Sequence, residues 1–177
     1  MPSWRATGAW PGAEVRVQRL RASSADADID AVVALEAESF TNPWPRETLV
    51  WELHNSDVTR AYLLRDDADR VVAFCVCWVI FDELHINTLA VATDARRRGS
   101  ATMLLRHAMA EAAACGATKA TLEVRESNVA ALRLYERLGF HVAARRPRYY
   151  SKPDEDGLIL WRDGLGPGGA GPAGPIA

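Results

Sequence analysis

A run ending in Leu89, Ala90 and Val91 has the character of a strand, and it passes through three arginines and a glycine, Arg96-Arg97-Arg98-Gly99, into a helical pattern that opens with Ser100, Ala101 and Thr102. The N–H groups in a helix's first turn have no intrahelical partner, and that end of a helix carries a partial charge of about +0.5. A glycine just before it lets the backbone approach a ligand, so the segment is suited to cradle a phosphate or a diphosphate. The spacing GxxxxGK[ST] of a Walker loop is missing, as is GxGxxG. Alone, an arginine triplet is more often a solvated basic patch. Its place between a strand and a helix favours the anion site.

Proton transfer has its own candidates downstream. Glu123 alternates with Leu122 and Val124, so if those two face a core, Glu123 points to the opposite side of its strand, where a substrate can lie. A strand glutamate is more often plain surface, although a carboxylate so placed can also take a proton from a bound group. Asn128 and Tyr135 are seven residues apart, about 10.5 Å along one helix face. A neutral phenol, with a pKa of about 10, can give a proton to a departing anion, though a tyrosine on an apolar face can also be simple core. His85 and Asn87, two apart on a strand, are placed to position water, but a lone strand histidine is more often just hydrogen-bonded, and both are left out of the catalytic set.

The loop Arg96-Arg97-Arg98-Gly99-Ser100-Ala101 and the block Leu122-Glu-Val-Arg-Glu-Ser-Asn-Val-Ala-Ala-Leu-Arg-Leu-Tyr-Glu-Arg-Leu-Gly-Phe140 resemble the GNAT N-acetyltransferase family, whose cofactor loop runs Arg or Gln, two residues, Gly, one residue, then Gly or Ala. The resemblance covers about 15–162 and is strongest toward the ribosomal-protein-alanine N-acetyltransferases, through Glu38-Ser-Phe-Thr-Asn-Pro-Trp-Pro45 and Arg148-Tyr149-Tyr150 as well. It implies an α/β GNAT fold, a mixed and mostly antiparallel twisted sheet flanked by helices and splayed where the cofactor enters. It also implies acetyl-CoA as the donor, held by Arg97, Arg98, Gly99, Ser100, Ala101 and Thr102 at the diphosphate, by the strand end Leu89, Ala90 and Val91 along the pantetheine, and by Asn128. By the same resemblance Glu123 is the general base and Tyr135 the general acid in a direct attack, with a backbone N–H near Leu89 stabilising the oxyanion. Trp44, Tyr149 and Tyr150 are assigned to the acceptor, although Trp44 fits a core position equally well. The acceptor implied is a protein N-terminal amine, the N-terminal alanine of ribosomal protein S18. Lysine or small-amine acetylation is the enzymatic alternative, and a non-catalytic acyl-CoA-binding module is the alternative of another class. Ala101 stands where the stricter motif has a second glycine.

These residues need elements to hold them. The pattern predicts a strand over 15–20, a helix over 26–40 with Ile29, Val32, Val33 and Phe40 inward, a break at Asn42-Pro43-Trp44-Pro45, and a second helix to about His54. Strands are expected over 59–65 and 71–81, as a hairpin turned by Asp66-Asp67-Ala68-Asp69, and over 85–92. A crossover helix over 102–115 then leads to a strand over 119–124. A further helix, capped by Ser127-Asn128 and stopped by Gly139, leads to strands over 140–145 and 158–161, with Tyr149 and Tyr150 in a polar loop between them.

The chain has 177 residues, 49% hydrophobic and 25% charged, which is ordinary composition for one globular domain. With 21 basic and 23 acidic residues the formal charge is -2, which argues against a broad nucleic-acid surface. No apolar run approaches the roughly 20 residues of a membrane span, and no signal peptide is recognisable, so a cytoplasmic location without membrane contact is expected. Cys75 and Cys77 lie two apart on one strand and are expected as core hydrophobes; no metal site is expected from the three cysteines. Residues 1–14 and the Gly- and Pro-rich 163–177 are expected to be mobile tails around a domain of 15–162. The oligomeric state is left open.

Overall fold

The computed structural model describes residues 15–166. The expected tail over 1–14 lies outside the described residues, as does most of the one over 163–177. Seven strands form one sheet: β1 (Arg16–Leu20), β2 (Thr59–Arg65), β3 (Val71–Ile80), β4 (Glu83–Val91), β5 (Lys119–Arg125), β6 (His141–Tyr150) and β7 (Glu155–Asp163). Their spatial order is β1-β2-β3-β4-β5-β7-β6. Four helices accompany them: α1 (Asp26–Ser39), α2 (Arg46–His54), α3 (Ser100–Ala114) and α4 (Val129–Arg137). The pairs β1–β2, β2–β3, β5–β7 and β7–β6 are antiparallel, and β4–β5 is parallel. This is the mixed, mostly antiparallel sheet expected of a GNAT fold. Among the described residues no helix is long and apolar enough to cross a membrane.

The chain forms two compact units, the first ending at Trp78 and resuming over Thr88–Ala108, the second holding Val79–Asn87 and the residues from Met109 on. In the first unit α1 and α2 lay Ile29, Val32, Leu35, Leu49 and Leu53 against Leu63, Phe74 and Val76 of the strands. Asp26 and Asp28 sit in the first turn of α1, where negative charge meets the positive end of the helix. Phe40 does not belong to this inner stripe. The helix ends at Ser39, Phe40 turns extended at φ -126° and ψ 142°, and its ring is exposed. Glu36 takes an inward position instead. Cys75 and Cys77 are both buried in β3, as expected of small core residues, and the Cys77 Sγ–H donates to the Arg60 carbonyl at 3.3 Å. Cys115, just past α3, is exposed.

The second unit is built around β5, where Leu122 and Val124 are buried and Glu123 between them is exposed. The Asn128 side chain caps α4, its Oδ1 accepting from the Ala131 N–H at 3.1 Å, and Gly139 ends the helix with the Phe140 N–H donating to the Tyr135 carbonyl at 3.0 Å. The chain then runs into β6 at the sheet edge, not beside β5, because β7 returns between them. Both terminal strands are longer than expected from sequence, and Tyr149 and Tyr150 belong to β6 and not to a loop. Beyond Asp163 the Leu165 N–H still donates to the Thr118 carbonyl at 2.9 Å.

Candidate active site

The anion loop is formed within the first unit. After β4 a short 3-10 turn, Thr93–Ala95, brings the chain to Arg96, whose Nε donates back to the Val91 carbonyl at 3.1 Å. Arg97 and Gly99 both take positive φ, 59° and 85°. The αL conformation is open to glycine at no steric cost, and it turns the chain sharply into α3. Ser100 is buried, with its Oγ donating to the Ala95 carbonyl at 3.1 Å, and the first α-helical bond closes from the Met103 N–H to the Gly99 carbonyl at 2.9 Å. The Ser100, Ala101 and Thr102 amides are therefore first-turn amides without an intrahelical acceptor. Arg97 and Arg98 are exposed around them. Leu89, Ala90 and Val91 form the end of β4. The β4–β5 ladder pairs only Glu83–Ile86 with Lys119–Leu122, although β4 runs on to Val91 and β5 to Arg125.

The second unit positions Glu123. It lies opposite Ile159 of β7, and Gly157 of β7 lies opposite both Arg125 of β5 and Arg146 of β6. Directly opposed residues share a face, so Glu123, Arg125, Gly157 and Arg146 all project from the same side of the sheet. Both carboxylate oxygens of Glu123 are engaged there: Arg146 Nη1 donates to Oε1 at 2.7 Å and the Tyr149 hydroxyl donates to Oε2 at 2.6 Å. The Tyr149 phenol is raised above its ordinary value, first by this bond to a carboxylate and then by burial. Tyr150, T-shaped against Tyr149 at 5.0 Å, is pushed up to about 12, chiefly by burial. The Arg125 guanidinium lies 4.4 Å from the Tyr150 ring centroid and pairs with Glu155 at 3.2 Å. Glu155 in turn accepts the Ser127 N–H at 2.5 Å, which ties this face to the start of α4, and the Ser127 side chain, then its backbone N–H, holds the Glu155 carboxyl below its ordinary value.

Tyr135 is buried on α4, T-shaped to Phe140 at 5.8 Å. Asn128 is exposed, its oxygen spent on the cap, which leaves the amide nitrogen as the end available to a ligand. Of the residues named from sequence, the structure joins Glu123 directly to Tyr149, and Tyr149 to Tyr150. Arg146 was not foreseen; its pairing depends on the strand order, which no local pattern encodes.

Trp44 is held in the first unit by a second unforeseen residue. Its backbone N–H donates to Glu36 Oε1 at 3.2 Å, while the Thr88 hydroxyl of β4 donates to Oε2 at 3.0 Å. The Glu36 side chain is buried, and burial pushes its carboxyl above the ordinary value against the lowering effect of those two donors. Val32, Val33, Glu36, Trp44, Phe74 and Thr88 line a small pocket. The Trp44 side chain also packs on the core, the position that fitted it equally well from sequence. A signal for Glu36 was present, since it falls four residues after Val32 and seven after Ile29 on one helical stripe.

His85 pairs with Glu83 at 2.8 Å. Asn87 is different: its Nδ2 is buried and is the one such side-chain atom without a hydrogen-bond partner among the described residues. No group of three or more His, Cys, Asp or Glu side chains among the described residues is arranged to hold a metal ion.

Comparison with known proteins gives this arrangement a context. The acetyltransferase (GNAT) family model matches residues 29–140. The chain is 36% identical over 135 residues to the ribosomal protein bS18-alanine N-acetyltransferase of Salmonella typhimurium, covering 75% of this chain and 89% of that protein. It is 32% identical over 134 residues to the putative bS18-alanine N-acetyltransferase of Bacillus subtilis, covering 76% and 88%. The crystal structure of the Escherichia coli ribosomal-protein-S18-alanine N-acetyltransferase superposes with a TM-score of 0.75 at 27% identity, over 92% of this chain and 99% of that one. The strand, glycine turn and first-turn amides of Ser100 to Thr102 form a helix start of the kind that suits an anion. The chain belongs to the acetyltransferase (GNAT) family and is an acetyl-CoA-dependent N-acetyltransferase.

Proposed function

We propose that the acceptor is a protein N-terminal α-amine, namely the N-terminal alanine of ribosomal protein S18, with Glu123 as the general base and Tyr135 as the general acid. The acceptor rests on the relatives, whose names specify that alanine and which align over about three quarters of this chain. The residue roles rest chiefly on one observation: Glu123 is an exposed carboxylate on a strand whose neighbouring side chains are buried, fixed in place by two donors.

Acetyl-CoA supplies a thioester carbonyl, activated toward amines. Arg97, Arg98 and the amides of Gly99 to Thr102 hold its diphosphate, with Leu89, Ala90, Val91 and the amide nitrogen of Asn128 as further cofactor contacts. Glu123 takes the proton that keeps an α-amine from attacking at neutral pH, directly or through water. Tyr135 gives its phenolic proton to the departing sulfur. Trp44, Tyr149 and Tyr150 contact the acceptor. The reading includes a location in the cytoplasm, where ribosomal proteins are met, and assigns no nucleic acid or membrane partner.

The test is release of free CoA from acetyl-CoA with a peptide carrying the S18 N-terminus, the same peptide blocked at its α-amine, and a blocked peptide with an accessible lysine. Release is expected with the first alone, and Glu123→Gln and Tyr135→Phe are each expected to slow it tenfold or more. Equal release from the lysine peptide would move the acceptor class. Full turnover in both variants would remove the assigned roles.

A further inference from the structure

We propose that Arg146 and Tyr149, with the side-chain-free Gly157 beneath them, are positioning residues that hold the Glu123 carboxylate in its working orientation. This rests on the reading of Glu123 as the general base and names the groups on which that base depends. A glutamate on an open strand face has three side-chain torsions to settle, and a base misplaced by about 1 Å can lose on the order of a hundredfold in rate. Here each oxygen has one fixed donor, Arg146 at 2.7 Å and Tyr149 at 2.6 Å. A carboxylate oxygen accepts about two hydrogen bonds, so each keeps a free position for water or the amine. The two donors support one another, since the Arg146 guanidinium lies 5.3 Å from the Tyr149 ring centroid.

Two features of the sheet serve this arrangement. Arg146 and Tyr149 are three residues apart, and in a regular strand they would point to opposite faces. The β6–β7 register slips here: Arg146 lies opposite Gly157 and Tyr150 opposite Glu155, so four steps along β6 match two along β7. That irregularity, with Arg148 at φ 50°, brings both side chains to the Glu123 face. The donors must also cross β7 to reach β5. A Cβ on Gly157 would stand 2.9 Å from Tyr149 Cδ1 and 3.1 Å from its Cβ, so the bare backbone there is what admits the ring.

The test is steady-state kinetics with acetyl-CoA and the S18 peptide for Arg146→Ala, Arg146→Lys, Tyr149→Phe, Gly157→Val and Glu123→Gln, and for Glu123→Gln combined with each of the first and third. Arg146→Ala and Tyr149→Phe are expected to lower kcat at least fivefold with KM for acetyl-CoA within twofold, and Arg146→Lys to recover part of the loss. Gly157→Val is expected to reproduce the Tyr149→Phe defect. In the Glu123→Gln background neither change is expected to have a further effect on kcat, which a merely structural role would not produce. Arg146 and Tyr149 are half-exposed, so their variants fold even if Gly157→Val does not. Full kcat in both single variants while Glu123→Gln is crippled would overturn the proposal and leave the base assignment standing. An undiminished further loss in the Glu123→Gln background would overturn it too, and an active Glu123→Gln would remove both.

Discussion

Replacing Glu36 by leucine is a direct test of how the Trp44 linker is held. Leucine is close in size, so the change leaves little cavity and isolates the loss of two acceptor oxygens. The Trp44 N–H and the Thr88 hydroxyl lose the partners they have at 3.2 and 3.0 Å. An unsatisfied buried donor costs about 1–3 kcal/mol, and some relief from water at the linker brings the pair to about 2–4 kcal/mol. For a chain of this size that corresponds to a fall in Tm of roughly 5–15 °C. Glutamine keeps one carbonyl acceptor and offers an amide to the Thr88 oxygen, so Glu36→Gln should stay within about 1 kcal/mol of the parent. The carboxyl of Glu36 is raised in the folded chain, so its ionisation costs stability: the parent is strongest relative to the glutamine variant below the ordinary carboxylate value, and loses ground as pH rises through the raised one. Thermal unfolding by circular dichroism at several pH values reads all of this. A leucine variant as stable as the parent, or a parent-minus-glutamine difference that is flat with pH, would refute it.

Further outcomes are expected elsewhere. Gly99→Ala forces a Cβ onto a residue at φ 85°, a strain of about 1–2 kcal/mol, so KM for acetyl-CoA should rise about five- to thirtyfold with kcat little changed, as initial rates will tell. Ultraviolet titration should find Tyr149 and Tyr150 ionising above the ordinary tyrosine value, Tyr150 near about 12, and Glu123→Gln should bring Tyr149 down, because its largest cause is the bond to that carboxylate. Both phenols are raised on folding, so the stability they contribute is present below the ordinary tyrosine value and is lost as pH climbs through the raised ones. Arg65→Met strands Asp28, its ion-pair partner, at side-chain exposures of 11% and 14%, and should cost about 2–4 kcal/mol by urea unfolding.

The parts of the site carried by local pattern were readable from sequence. A strand, a glycine turn and a helix start follow one another along the chain at Val91 to Thr102, and the outward direction of Glu123 follows from buried Leu122 and Val124 on either side. The full extent of β6 was not readable. Nine of its ten residues are exposed, so it has no apolar alternation to betray a strand, and it carries Pro147, which only an edge position tolerates. It exists through its pairing with β7, a long-range fact, and the Arg146–Glu123 contact depends on that pairing. Phe40 departs from its expected place for a different reason: the helical periodicity runs one residue past the point where the backbone leaves the helix. Glu36 lay on the apolar stripe in plain view, but a carboxylate at a core position becomes meaningful only once its two donors, eight and fifty-two residues away, are known.

The unequal placement of the three thiols bears on how turnover can be followed. Cys75 and Cys77 are sealed inside β3, whereas Cys115 is open to solvent. A chromogenic thiol reagent added to detect liberated CoA will also consume one equivalent per chain from the protein, not three, until unfolding uncovers the other two. The same reagent thus provides an internal measure of how much of a preparation is folded, and a maleimide dye will mark each intact molecule at a single known point.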